Sequence, residues 1–139
     1  MEDEFVLDIR STKRTILIVD DEREIRSKYK KFLKKEGFRV LEAPNALEVA
    51  NLLMREKSTL DLILLDINMR EVDGRDIFDL IDEYAPNLQV IVSSIFPLHD
   101  QKLKIPRATD YFNKSHKKEL LLTKIKKVLG VSNLKPASK

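Results

Sequence analysis

Leu62-Ile63-Leu64-Leu65 is an unbroken apolar run, and it ends on a carboxylate, Asp66. A strand that is apolar on both faces belongs inside a parallel sheet with helices packed on each side; a strand with one wet face alternates instead. Open α/β sheets place ligands and chemistry at the carboxyl ends of their strands. Asp66 stands at such an end. Gly74 follows and lets the chain turn toward the next helix. Read alone, Asp66 also fits a plainer role, a carboxylate that caps a turn or a helix.

The rest of the chain alternates strand and helix. Thr15-Ile16-Leu17-Ile18-Val19 reads as a first strand, closed by Asp20-Asp21-Glu22. Ile25, Tyr29, Phe32 and Leu33 recur at helical spacing between Glu22 and Glu36, and Gly37 stops that helix. Acids at its start and Lys34 and Lys35 near its end suit the helix dipole. Phe38 to Ala43 is a second strand. Pro44-Asn45 opens a helix whose inward stripe is Ala46, Val49, Ala50, Leu52 and Leu53. Leu60 to Leu65 is the third strand, and Asp73 to Tyr84 a helix with Ile77, Leu80 and Ile81 inward. Leu88 to Ser93 is the fourth strand, with Ser93-Ser94 at its end. Pro97 to Lys104 is a short helix or irregular segment, and Ala108 to Phe112 the fifth strand. Lys117 to Leu129 is the last helix, with Leu121, Leu122, Ile125, Val128 and Leu129 inward. Residues 1–13 read as a mobile N-terminal extension, 14–130 as one domain and 131–139 as a short polar tail.

Five such units predict an α/β fold, a doubly wound five-stranded parallel sheet with right-handed crossovers. In the common flavodoxin-like order 2-1-3-4-5, strands one and three are neighbours at the topological switch point. Asp20, Asp21 and Asp66 then meet at one edge of the sheet. Three carboxylates in one crevice repel. A hard divalent cation relieves that repulsion, and oxygen ligands of this kind suit Mg2+. Capping of the first helix is the plainer role for Asp20 and Asp21, but it leaves the third acid, one strand away, unexplained.

Composition removes other chemistries. The 139 residues contain no Cys and two His, His99 and His116, far apart, so neither a thiolate nor a histidine-rich metal centre is expected. Met1-Glu2-Asp3-Glu4-Phe5 lacks the pattern of a signal peptide, and no apolar run is long enough to cross a bilayer. The expected location is cytoplasmic, with no membrane partner. The net charge is +3 but uneven, and Lys dominates residues 114–139. A basic end of this kind is most simply a solvated helix face.

Four segments together resemble a response-regulator receiver domain of two-component signalling. They are Ile16-Leu17-Ile18-Val19-Asp20-Asp21-Glu22; Leu65-Asp66-Ile67-Asn68-Met69 with Gly74; Val90-Ile91-Val92-Ser93-Ser94; and Asp110-Tyr111-Phe112-Asn113-Lys114. The resemblance covers about residues 14–130. It implies that Asp66 is the phosphoacceptor, taking a phosphoryl group from a histidine kinase or phosphotransfer protein. It implies that Asp21, Asp66 and the backbone carbonyl of Asn68 bind Mg2+, with Asp20 acting through a water. Lys114 would pair with a phosphate oxygen, Ser94 would donate its hydroxyl to another, and Tyr111 would be the switch aromatic. Ser93 competes for the hydroxyl role, but Ser94 fits the family spacing. The chain is then a signalling switch rather than an enzyme, although it assists its own phosphotransfer and slow dephosphorylation.

The chain departs from the family pattern at three places. Arg70 stands where Pro usually follows the Met. Ser115 stands where Pro usually follows the Lys in a cis bond, so Lys114-Ser115 is expected either trans with Lys114 re-aimed, or cis and strained. Ile95 stands where a small residue is usual; with Phe96 it would crowd an attacking water and lengthen the life of the phosphorylated form. Three other functions compete. A phosphohydrolase with an Asp nucleophile, haloacid-dehalogenase-like, wants a second acid at position 68, which is Asn. A DNA-binding regulator needs a platform for a recognition helix, and fewer than ten residues follow Gly130, so direct DNA binding is not expected. A receiver-like scaffold that is never phosphorylated fits poorly with an intact acidic set. In the family the signal leaves through the face of the fourth helix, fifth strand and fifth helix. That face is rich here in Lys102, Lys104, Arg107, Lys117, Lys118, Lys124, Lys126 and Lys127, and it predicts a downstream protein with an acidic surface.

Overall fold

The computed structural model describes residues 13–131. The expected extension over 1–13 and tail over 131–139 therefore lie outside the described residues, Lys13 and Val131 apart. Five strands, β1 (Thr15–Val19), β2 (Arg39–Ala43), β3 (Leu62–Asp66), β4 (Gln89–Ser94) and β5 (Asp110–Asn113), form one sheet. The order is β2-β1-β3-β4-β5 and every pairing is parallel. Five helices connect and cover it: α1 (Arg23–Lys35), α2 (Ala46–Glu56), α3 (Gly74–Tyr84), α4 (Leu98–Lys104) and α5 (Lys118–Leu129). This is the fold class expected from the alternation.

Side-chain alternation along the strands builds two cores. Ile16, Ile18, Leu62, Leu64, Ile91 and Phe112 face α1 and α5, against Tyr29, Leu33, Leu121 and Ile125. Leu17, Val19, Ile63, Leu65, Val90 and Val92 face the other layer, against Val49, Leu53, Ile77 and Ile81 of α2 and α3 and against Ile105 and Tyr111. All five residues of β3 are buried, as a run apolar on both faces requires.

The ends of the elements follow local chemistry. Asn45 caps α2, its side chain accepting from the Glu48 amide at 2.9 Å. Asp73 caps α3 in the same way, accepting from Arg75 at 2.9 Å. Gly130, with φ +67°, closes α5. Strands β3, β4 and β5 each run one residue further than the hydrophobic pattern predicts, because Asp66, Ser94 and Asn113 continue the ladder although they are polar. Gly74 differs from its expected role. Its φ is not positive; a Cβ there would lie 2.4 Å from the Cα of Ile67. The glycine is needed for close approach of α3 to the loop after Asp66, not for a turn.

Candidate functional site

The switch between β1 and β3 places Asp20, Asp21 and Asp66 together. One carboxylate oxygen from each lies within 4.8 Å of the others. Asp66 continues the parity of Leu62 and Leu64, and Asp20 that of Ile16 and Ile18, so both rise from the same side of the sheet. Both are buried, and Asp21 is partly exposed.

Asp66 and Asp20 each divide their oxygens between the backbone and a cation. Asp66 Oδ1 accepts from the Asn68 amide at 2.8 Å, and its Oδ2 lies 3.4 Å from Lys114 Nζ. Asp20 Oδ1 accepts from the Glu22 amide at 2.9 Å, and its Oδ2 takes Lys114 Nζ at 2.7 Å. The capping role therefore exists for Asp20, but it uses only one of the two oxygens. Asp21 Oδ2 accepts from the backbone amide of Arg70 at 3.0 Å, with Arg70 Nε 3.6 Å away. A proline at position 70 would have no N–H to give. The departure from the family pattern thus supplies a hydrogen bond to one of the three acids.

Lys114 is not re-aimed. No peptide bond is cis among the described residues, and its side chain still spans both buried acids. The backbone of Lys114 is fixed independently, its amide donating to the Ser94 carbonyl at 2.8 Å. Burial pushes the Asp66 carboxyl up to about 6, outweighing the Lys114 ammonium that pulls it down. For Lys114 burial works the other way and loses: the bond to Asp20 and the charge of Asp66 hold the ammonium above its ordinary value. Near neutral pH the site holds an ionised Asp66 beside a charged Lys114.

Ser94 and Ser93 sit on opposite faces of β4. Ser93 pairs with Asp66 in register, yet its Oγ is buried without a hydrogen bond. Ser94, fully buried, donates Oγ to Asn68 Oδ1 at 2.7 Å and accepts from the Phe96 amide at 3.0 Å. Tyr111 is buried, and its hydroxyl donates to the Ile105 carbonyl at the end of α4. Phe96 lines a pocket next to the acids, with Asn68, Met69 and Val72. Ile95 does not line it and is 67% exposed. Of the two residues expected to crowd an attacking water, Ile95 turns outward and Phe96 lies beside Asn68.

Sequence reasoning passed over Gln101. It is wholly buried in α4, and its side-chain amide donates to the carbonyls of Phe96 at 2.7 Å and Phe112 at 3.0 Å. The available signal was a Gln in the inward stripe Leu98, Gln101, Ile105 of an otherwise apolar helix face.

The basic face is also less charged than composition suggests. Lys124 lies 3.5 Å from Asp110, Arg107 2.8 Å from Asp82 and Lys104 3.7 Å from Asp73. Lys126 is buried, and Lys118 lies over the Phe32 ring of α1, 5.1 Å from its centroid.

Comparisons with known proteins agree with this geometry. The family model described as "Response regulator receiver domain" matches residues 16–126. Sporulation initiation phosphotransferase F of Bacillus subtilis is 30% identical over 120 residues, covering 85% of this chain and 95% of that protein. Transcriptional regulatory protein YxdJ of the same organism is 30% identical over 112 residues, covering 80% of this chain but 48% of its own length. The chain thus spans about half of that regulator. Among solved structures, response regulator protein TrrA from Thermotoga maritima, in complex with Mg(2+)-BeF, superposes with a TM-score of 0.75 at 29% identity. That match covers 84% of this chain and 99% of that one. No helix among the described residues is long and apolar enough to cross a membrane.

Proposed function

The chain belongs to the response-regulator receiver family, and from that premise we propose that it is a phosphorylation-dependent switch in which Asp66 is the phosphoacceptor. The observation that carries this reading is the buried Asp66 carboxylate at the end of β3, flanked by Lys114 and two further acids. Its nucleophilic oxygen attacks phosphorus. The bond from phosphorus to the donor nitrogen of a histidine kinase or phosphotransfer protein breaks as the acyl phosphate forms. Burial that raises the carboxyl to about 6 makes the oxygen more basic while leaving it ionised at neutral pH.

The donor set fits Mg2+: three carboxylates, no nitrogen or sulfur, and one acid partly open to solvent. Asp20, Asp21, Asp66 and the Asn68 carbonyl would hold it, and when bound it offsets charge on the transferring phosphoryl group. Lys114 is already within reach of Asp66 and takes one phosphate oxygen as a point charge. Ser94 exchanges its bond to Asn68 for another phosphate oxygen, and Tyr111 follows as the switch aromatic. The released surface docks an acidic patch of a downstream protein. The chain is a signalling domain rather than an enzyme. Incubation with acetyl phosphate tests the reading: wild type should gain one base-labile phosphoryl group with Mg2+ and none with EDTA.

A further inference from the structure

A single buried polar side chain ties the inner face of helix α4 to the loop before it and to β5. Gln101 is fully buried, and its Nε2 faces three carbonyls from three places: Phe96 O at 2.7 Å, Phe112 O at 3.0 Å and Ser94 O at 3.5 Å. An amide NH2 has two hydrogens. Two carbonyls are well bonded and the third stands by. The Ser94 carbonyl has its own donor in the Lys114 amide, and the Phe96 carbonyl has a weaker one in Asn113 Nδ2 at 3.3 Å. Gln101 Oε1 is buried with no hydrogen bond, which leaves the amide a margin for rearrangement.

The bonds run in series. Asn68 Oδ1 holds Ser94 Oγ, Ser94 Oγ holds the Phe96 amide, and the carbonyl of that same residue holds Gln101. Motion of Ser94 toward a phosphoryl group on Asp66 draws the Phe96 backbone with it. Gln101 then either follows, moving α4, or transfers its hydrogen to the waiting Ser94 carbonyl. Tyr111 is placed differently. Its ring is buried and its hydroxyl is already bonded to the Ile105 carbonyl at the far end of α4. It holds that end and has no bond to the loop that carries Ser94.

We propose that Gln101 is the positioning residue that couples the loop after Ser94 to α4, so that the phosphorylation state of Asp66 reaches this helix through the Gln101 amide, beside the Tyr111 switch. The inference rests on Asp66 as phosphoacceptor. It also carries a sign. In the free protein the Gln101 amide holds the loop in its resting place, so part of the energy of phosphoryl binding goes into moving α4. Removing the amide frees that energy, and a phosphoryl mimic binds more tightly while the helix ceases to respond.

The test is amide hydrogen exchange of residues 98–104 in the full chain, free and loaded with Mg2+ and beryllofluoride, together with beryllofluoride affinity. Wild type should change exchange on loading by about tenfold. Gln101→Leu should change by less than about twofold while binding beryllofluoride about threefold more tightly. Gln101→Met, unbranched and of similar length, takes the place of the Leu variant should that one not fold. A merely structural Gln101 would raise exchange equally in both forms and leave the change intact. That result in either Gln101 variant overturns the inference, whatever the affinity. Wild type that binds no beryllofluoride would instead remove the phosphoacceptor reading itself.

Discussion

Lys114 Nζ lies 3.4 Å from Oδ2 of Asp66 although residue 115 is a serine and the bond between 114 and 115 is trans. The reach is set from behind: the Lys114 amide is held by the Ser94 carbonyl, and the ammonium is anchored on Asp20 at 2.7 Å. One cation therefore pairs with two buried acids at once.

Removing that cation should be costly, and a second cation should compensate. Lys114→Met leaves Asp20 and Asp66 unpaired in a buried site, and breaking such a pair costs about 3 kcal/mol. In urea unfolding with EDTA the variant should lose about that much. Mg2+ should restore a larger share of stability to the variant than it adds to wild type. An Mg2+ increment equal in the two proteins would show that Lys114 and the metal do not act on the same charges.

The Asp66 carboxyl sits at about 6 in the fold against an ordinary 3.8. The folded state thus holds the proton more tightly than the unfolded state. Stability from this group is complete below the unfolded value and is lost as pH rises through the folded one, a loss of about 3 kcal/mol. Asp66→Asn has no such loss. With EDTA present, the variant should gain on wild type by about 2–3 kcal/mol between about pH 4 and about pH 7. A variant no more stable than wild type at neutral pH would mean that Lys114 outweighs burial.

Phe96 lines a pocket with Asn68 and Met69, next to the acids, and Ile95 turns outward. Phe96→Ala should admit water and speed loss of the phosphoryl group by about threefold, equivalent to about 0.7 kcal/mol of barrier. Ile95→Ala should leave the decay rate unchanged. Decay of labelled protein in buffer without donor reads both rates; the opposite ranking would put the crowding on Ile95.

Among the described residues no carboxylate lies within ion-pair distance of Lys102, Lys117 or Lys127, whereas Lys104, Arg107 and Lys124 are locally paired. A symmetric dimer through α4, β5 and α5 pairs the patch with its copy and opposes like charges. The beryllofluoride-loaded protein should remain monomeric in light scattering at low salt. A tight activated dimer that Lys117→Glu disperses would exclude a heterologous acidic partner as the sole use of this face.

Much of this was legible in the chain. The apolar run before Asp66 marks the sheet as parallel and helix-covered, and the alternation gives its order. Acids at the ends of two strands, joined by that order, give the cluster. What was not legible depends on contacts between distant segments. Gly74 looked like a turn glycine because its neighbour Ile67 lies against it only after α3 has folded back. Gln101 drew no notice because its three acceptors come from β4, the loop after it and β5. Lys104, Arg107 and Lys118 looked like parts of one basic face because their partners, Asp73, Asp82 and the Phe32 ring, lie on other elements.

The central claim is that Asp66 carries the phosphoryl group. Borohydride reduction of protein labelled by acetyl phosphate in Mg2+, followed by mass spectrometry, reads it directly, since the hydride converts an aspartyl phosphate to homoserine at the modified position. The account predicts homoserine at residue 66 alone, and none in the presence of EDTA or in Asp66→Asn. Homoserine at position 20 or 21, or undiminished labelling of the Asn variant, would contradict it.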